Sequence, residues 1–272
     1  MSNNIKKGIL KYNIDIISIL LVFFVISISL LPIYFDLSYL SLFLIVFLLI
    51  FIKPITSLIQ HNHVHFNIFN YKFLNIIFDL LLSISTGHIC SIWVLHHNIG
   101  HHGNKINSLE DTSSVKNYKT REYMTKIEYI LSGGIKVFPD CCKMAFDFYK
   151  KGQKKYLVRL ILEVIFSILV HLFFLIVNFK MALFFLVIPN IINPMLVWLG
   201  AYWQHLNVSE KSDSVYDSAN MYAGPIFNFI SFNIGYHIAH HEKPTLHWSK
   251  LKERTEKIID KIPKNQILQK MP

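Results

Sequence analysis

Gly235-Tyr236-His237-Ile238-Ala239-His240-His241-Glu242-Lys243-Pro244, followed by His247-Trp248, is the stretch from which the rest of the chain can be read. His237, His240 and His241 form an H-x-x-H-H group, and two earlier clusters answer it: His61-Asn62-His63-Val64-His65 and His96-His97-Asn98-Ile99-Gly100-His101-His102. Residues three or four apart share a helix face, so His61/His65, His97/His101 and His237/His240/His241 can each aim their imidazoles one way. Three convergent groups of neutral imidazole make a site for transition metal, with room for more than one ion. Most of the chain's 14 histidines fall in these clusters.

The remaining sequence reads as a means of bringing them together. The chain has 272 residues, is 53% hydrophobic and has a mean hydropathy of +0.39. Its long uncharged runs predict an integral membrane protein rather than a soluble domain. The net charge of +10 comes from lysines flanking apolar segments, as cytoplasmic loops and anionic headgroups favour, and no basic surface for nucleic acid stands out. Cys90, Cys141 and Cys142 form neither a C-x-x-C motif nor a disulfide framework, and are read as ordinary thiols.

Four spans are predicted, at 14–35, 37–52, 157–177 and 181–203. A polar tail with Lys6, Lys7 and Lys11 precedes the first, Lys53-Pro54 marks a return to the interface, and Asn178-Phe179-Lys180 is a tight turn. Pro189 and Pro194 are expected to kink or break the last span. The stretch 73–95 is long enough to cross, but crossing would part the first two clusters, and Asp79, Ser83, Ser85, Thr86, Gly87 and His88 interrupt it. It is read as interfacial or buried helix. Arg159 and Glu163, four apart, pair or face headgroups. Two hairpins then place both termini, all three clusters and His205 on the cytoplasmic side. The predicted fold is an all-α integral membrane protein: four transmembrane helices in two hairpins, with a cytoplasmic helical cap carrying the histidines, as one domain over 1–272.

H-x-x-x-H (His61 to His65), H-x-x-x-H-H (His97 to His102) and H-x-x-H-H (His237 to His241), in the order hairpin, two boxes, hairpin, last box, resemble the membrane fatty acid desaturase and hydroxylase superfamily. The resemblance runs from the first span to Trp248. It implies a non-haem di-iron centre, two iron ions held by His61, His65, His97, His101, His102, His237, His240 and His241. A further ligand falls on His205. It also implies O2-dependent attack on an unactivated C–H bond of a fatty acid or fatty-acyl substrate. Since the tail past Trp248 is too short for a cytochrome domain, electrons are expected from a separate ferredoxin-like or cytochrome-like donor.

Two features depart from the family pattern, the extra His63 and the doubled His96-His97. On a regular helix His63 points away from His61 and His65, and His97, not His96, is in register with His101. His88, His171 and His247 are read outside the ligand set. Asn233, four residues before His237, can share its helical face and orient a water or ligand. Asp111, Asp213 and Asp217 are candidate acceptors for imidazole N–H groups. The same boxes also resemble membrane hydroxylases and decarboxylases that form terminal alkenes. A non-enzymatic metal carrier would instead need polar residues forming a path through the spans, where only His171 sits well inside one.

Overall fold

In the computed structural model the described residues are 8–103, 106–108, 110–117, 119–208 and 214–269; Lys6, Lys7 and Asp213 lie outside them. The chain is mostly helical. Four helices are long and apolar enough to cross a membrane: α1 (Ile16–Tyr34, preceded by a 3-10 turn), α2 (Tyr39–His65), α6 (Lys155–Val177) and α7 (Phe179–His205). Their large apolar side chains stay exposed, among them Phe43, Phe47 and Phe51 on α2 and Ile165, Leu169 and Phe173 on α6. Such a surface is stable against lipid and not against water. This is an integral membrane protein.

The second span departs from its predicted limits. α2 does not stop at Ile52 but continues through Pro54 to His65, carrying the first histidine cluster on the same helix. Lys53 does not mark an interface. It is buried, and its ammonium donates to Ser85 O and Asn190 Oδ1 at 2.7 Å each. Three-fold hydrogen-bonding capacity makes a lysine tolerable in an apolar span when acceptors are supplied by neighbouring helices. The last span is likewise unbroken at Pro194. Its irregularity is a π-helical turn at Leu183–Val187, just ahead of Pro189, whose missing N–H leaves no helical bond to satisfy there. Asn178 forms the whole break between α6 and α7, capping the latter by accepting from Met181 N.

The apolar stretch 73–95 is divided between α3 (Lys72–Thr86) and α4 (Cys90–His101), bent by 99°. Gly87 makes the corner: it has a φ of +72°, and its α-carbon faces the Asn190 carbonyl so closely that a Cβ would sit 2.2 Å from the oxygen. α5 (Lys126–Lys150) opens with a capping box between Thr125 and Glu128. Ile92, Leu95, Tyr129, Val137, Leu160 and Trp198 form a buried cluster joining α4, α5, α6 and α7. Arg159 does pair with Glu163, Nε to Oε1 at 2.7 Å, and also reaches Asp79 at 2.5 Å, so that α6 is tied to α3.

Past α7 the chain is built of short pieces. β1 (Met221–Tyr222) pairs in parallel with β2 (Ile267–Leu268). Between them lie α8 (Pro225–Ile230), α9 (His237–Glu242) and the charged helix α10 (Leu251–Ile258), which buries Leu251, Thr255 and Ile258 on one face. Asn233 is not on the helix of His237. It has a φ of +62°, in a turn with Phe232, and its amide donates to Trp248 O. Gly235 lets that turn close: Tyr222 N donates to Gly235 O at 2.9 Å, and a Cβ would lie 2.4 Å from Tyr222 O.

Candidate metal centre

The three clusters meet. The end of α2 brings His61 and His65, α4 brings His97 and His101 with His102 just beyond, and α9 brings His237, His240 and His241; His205 ends α7. Apart from His65 and His102, which are partly exposed, these side chains are buried. His61 Nε2 lies 2.8 Å from His97 Nε2, and His102 Nε2 lies 3.2 Å from His97 Nε2 and 3.0 Å from His240 Nε2. On the other side His101 Nε2 is 3.2 Å from His241 Nε2, and His205 Nε2 is 3.4 Å from His237 Nε2. Two groups stand out: His61, His65, His97 and His240, and His101, His205 and His241. Within each, one ring nitrogen per residue lies within 4.8 Å of the others. His97, His101 and His102 form a third group that bridges them.

The second box owes its register to a π-helical turn. Trp93–His101 is wound this way, and His102 N donates to His97 O five residues back. An α-helix would set His97 with His101 and turn His102 about 100° from His101. The wider turn brings His97 and His102 to the same side, so all three face the site. Such turns recur at functional sites because they insert one residue into a helix.

Hydrogen bonds at the far ring nitrogens decide where the protons are. His101 Nδ1 donates to the Asp111 carboxylate at 2.8 and 2.9 Å. Ser218 Oγ donates to Val215 O at 2.6 Å, so toward His241 Nδ1, 2.8 Å away, it must accept. Asn107 Nδ2 donates to Ser218 O, leaving Oδ1 to accept from His205 Nδ1 at 3.0 Å. All three imidazoles therefore carry their proton on Nδ1, and their Nε2 lone pairs point at one another. Burial and neighbouring imidazoles hold His240 and His241 well below the ordinary histidine range, and burial followed by His205 does the same for His237. Neutral lone pairs packed at these distances repel unless an electrophile lies between them. His65 Nε2, buried without a hydrogen-bond partner, adds an unpartnered ring nitrogen on the first group. The donor set, all imidazole and with the tautomers of His101, His205 and His241 fixed, fits a first-row transition metal such as iron.

Other histidines lie elsewhere. His63 turns away as expected, toward Asp79 Oδ1 at 3.4 Å, and accepts from Ile68 N. His96 bonds Thr112 O and packs on Trp198. His171 is held within the spans by Ser167 O and Asn190. His247 binds Asp15, which also accepts from Trp248 Nε1. Of the candidate carboxylates, Asp111 reaches an imidazole, whereas Asp217 accepts from Gln266.

Asn107, Ser218 and Gln60 were not singled out from the sequence. Gln60, next to His61, is a buried hub: it donates to His88 O and accepts from Thr86 Oγ1 and Trp93 Nε1. A buried amide beside a box histidine was the available signal. An apolar cavity of about 220 Å3 opens against the centre, with His61, His97, His205 and His237 in one wall and Leu58, Val197 and Phe227 among the others.

No curated protein matches the chain, and no solved structure does. A family model described as fatty acid desaturase matches residues 37–271, a range that takes in α2 to α10 and all nine converging histidines. The chain belongs to the fatty acid desaturase family.

Proposed function

We propose that the protein is an O2-dependent, di-iron fatty-acyl desaturase that introduces a double bond into a lipid acyl chain. The family makes it an oxidoreductase acting on fatty-acyl substrate in a membrane. The observation that carries the finer reading is the wall shared by the imidazole cluster and the apolar cavity. A metal carrier needs a path for ions through the spans. Here the spans present hydrogen-bonded polar side chains, and the cluster gathers at helix ends beside a space suited to a hydrocarbon.

In this reading His61, His65, His97, His102 and His240 hold one iron, and His101, His205, His237 and His241 hold the other. Iron bound there supplies O2 activation and the oxidising power to take hydrogen from a methylene carbon. The chain's own residues do the rest. Asp111, Asn107 and Ser218 keep the Nδ1 protons in place and so hold the Nε2 lone pairs toward the metal. Trp93, which touches the rings of His61 and His97 edge-on, lines the cavity and keeps water from that side. The cavity walls orient the chain and leave its methylenes, rather than its polar head, at the imidazoles.

The same reading makes 1–272 one domain, with α1/α2 and α6/α7 as two transmembrane hairpins and α3–α4 not crossing. Both termini and the metal centre then share the cytoplasmic face, within reach of a separate ferredoxin-like or cytochrome-like electron donor. α8, with Ile226 and Phe229 exposed, rests at the lipid boundary.

Elemental analysis of detergent-purified wild type and His240→Ala tests the metal, and product analysis with candidate acyl substrates tests the reaction. About two irons per chain, lost in the variant, with an internal double bond in the product, is the expected result. An added hydroxyl, or an alkene shortened by one carbon, would assign the same centre to a hydroxylase or a decarboxylase. Stoichiometric zinc in place of iron would overturn the reading.

A further inference from the structure

One wall of the cavity is a face of α7 on which Leu196, Gly200 and Gln204 succeed one another turn by turn, with Val197 and Ala201 beside them. Glycine in a helix interior is destabilising relative to alanine, so its presence there calls for a cause. The usual causes are a positive φ or a neighbour too close for a methyl group. Gly200 has neither. Its backbone is helical, and a Cβ built on it meets no atom of the rest of the protein within 4 Å. Gly133 makes the contrast: a Cβ there would lie 2.4 Å from the ring of Trp198, which fully explains that glycine by packing. The space above Gly200 is left open by the protein and belongs to the cavity.

We propose that Gly200 is a specificity-determining position, where the acyl chain lies directly against the bare backbone of α7 on its way past the metal centre. The proposal rests on the reading of the substrate as an acyl chain. It follows from the site's own geometry: Gly200 is five residues before His205 and flanked on its face by two other cavity residues. A side chain at 200 has nowhere to go but the path of the substrate. Its size then decides which chains, and which length of chain, reach the imidazoles.

The test uses the full-length protein with Gly200→Ala and Gly200→Leu. Expressed in a host lacking its own desaturase, each is read by chain-resolved analysis of the modified acyl groups, and each purified protein is melted. The expected result is a Gly200→Ala protein that unfolds at the same or higher temperature than wild type. Gly200→Leu should lose about tenfold or more in conversion of the longest chains wild type accepts, relative to short ones. An unchanged chain profile in Gly200→Leu overturns the proposal. So does a marked fall in the melting temperature of Gly200→Ala, which would show that the fold itself needs the glycine. If wild type modifies no acyl chain, the desaturase reading fails and the proposal is decided by native mass spectrometry with octadecanoate. Retention by wild type and loss in Gly200→Leu supports it, and equal occupancy overturns it.

Discussion

Replacing Asp111 by asparagine changes one atom in the support of one imidazole, and the structure gives the consequence in detail. The carboxylate accepts from His101 Nδ1, from Ser113 N through Oδ1 at 2.7 Å and from Asn107 N through Oδ2 at 2.7 Å. Burial raises its pKa, but His101, His205 and the Ser113 N–H together outweigh this, and the carboxyl stays below its ordinary value. An asparagine offers one oxygen. Whichever way it is turned, its NH2 meets a backbone N–H, at Ser113 or at Asn107, and that donor is left unsatisfied at about 1–3 kcal/mol. Turned so that its NH2 points at His101, it favours the tautomer with the proton on Nε2, and the metal-facing lone pair is lost.

Loss of such an outer hydrogen bond lowers metal affinity by about 10–100-fold, which is about 1.4–2.7 kcal/mol. The assay is chelator competition on iron-loaded, detergent-purified protein, with metal per chain measured alongside. Asp217→Asn is the control, because that carboxylate accepts from Gln266 and touches no imidazole of the centre. Asp111→Asn with wild-type affinity and stoichiometry would refute the argument that Nδ1 acceptors set the donor atoms.

Two further outcomes are expected. Imidazoles held neutral in the fold bind protons only when the chain unfolds, so their stability contribution is intact above the unfolded value of 6.5 and is lost as pH falls below it. One pH unit below, His237, His240 and His241 together withdraw roughly 4 kcal/mol from the metal-free protein; a melting temperature flat from pH 7.5 to 5.5 would contradict this. Because His63 faces Asp79 and not the cluster, His63→Ala should keep full metal content while losing about 1–3 kcal/mol of stability from the buried Ile68 N–H it leaves without an acceptor. Loss of metal without loss of stability would place His63 among the ligands.

The histidine spacing made the centre legible because imidazoles three and four apart on helices have few other uses in an apolar chain. What the spacing could not carry was the winding. The His97-His101 register assumes an α-helix, and only the π-helical turn explains why His102 joins His97 at 3.2 Å. Loop acceptors were equally out of reach: Asn107 and Ser218 sit in segments with no periodicity, and the role of Asn107 depends on contacts 98 and 111 positions away, that of Ser218 on His241, 23 residues on. Helical spacing puts Asn233 on the face of His237 only where no turn intervenes, and the positive φ values of Phe232 and Asn233 make one. Lys53 differs from its expected place for another reason. A lysine in an apolar run signals an interface only if the neighbouring spans supply no acceptor, and Asn190, 137 residues on, does supply one.

The bond from buried Lys53 to Asn190 points to how the centre is held. Between helices in lipid, burying apolar surface gives no preference for one register over another, because the tails are as apolar as the side chains. Direction must come from hydrogen bonds. α2 carries a ladder of them up to the first box: Lys53 to Ser85 O and Asn190, Ser57 to Asn193, and Gln60 to His88 O, Thr86 and Trp93. Asn190 and Asn193 of α7 also donate to Ile84 O and Thr86 O at the end of α3. At about 0.6 kcal/mol each, no single bond fixes the arrangement, but together they favour the one register in which all of them are made. The ladder ends one residue before His61. It ties α2 to the corner from which α4 departs, so the first and second boxes are positioned by the same set of bonds, and α7 brings His205 into that frame. The polar residues that seem misplaced in these spans are the ones that set the distances between imidazoles.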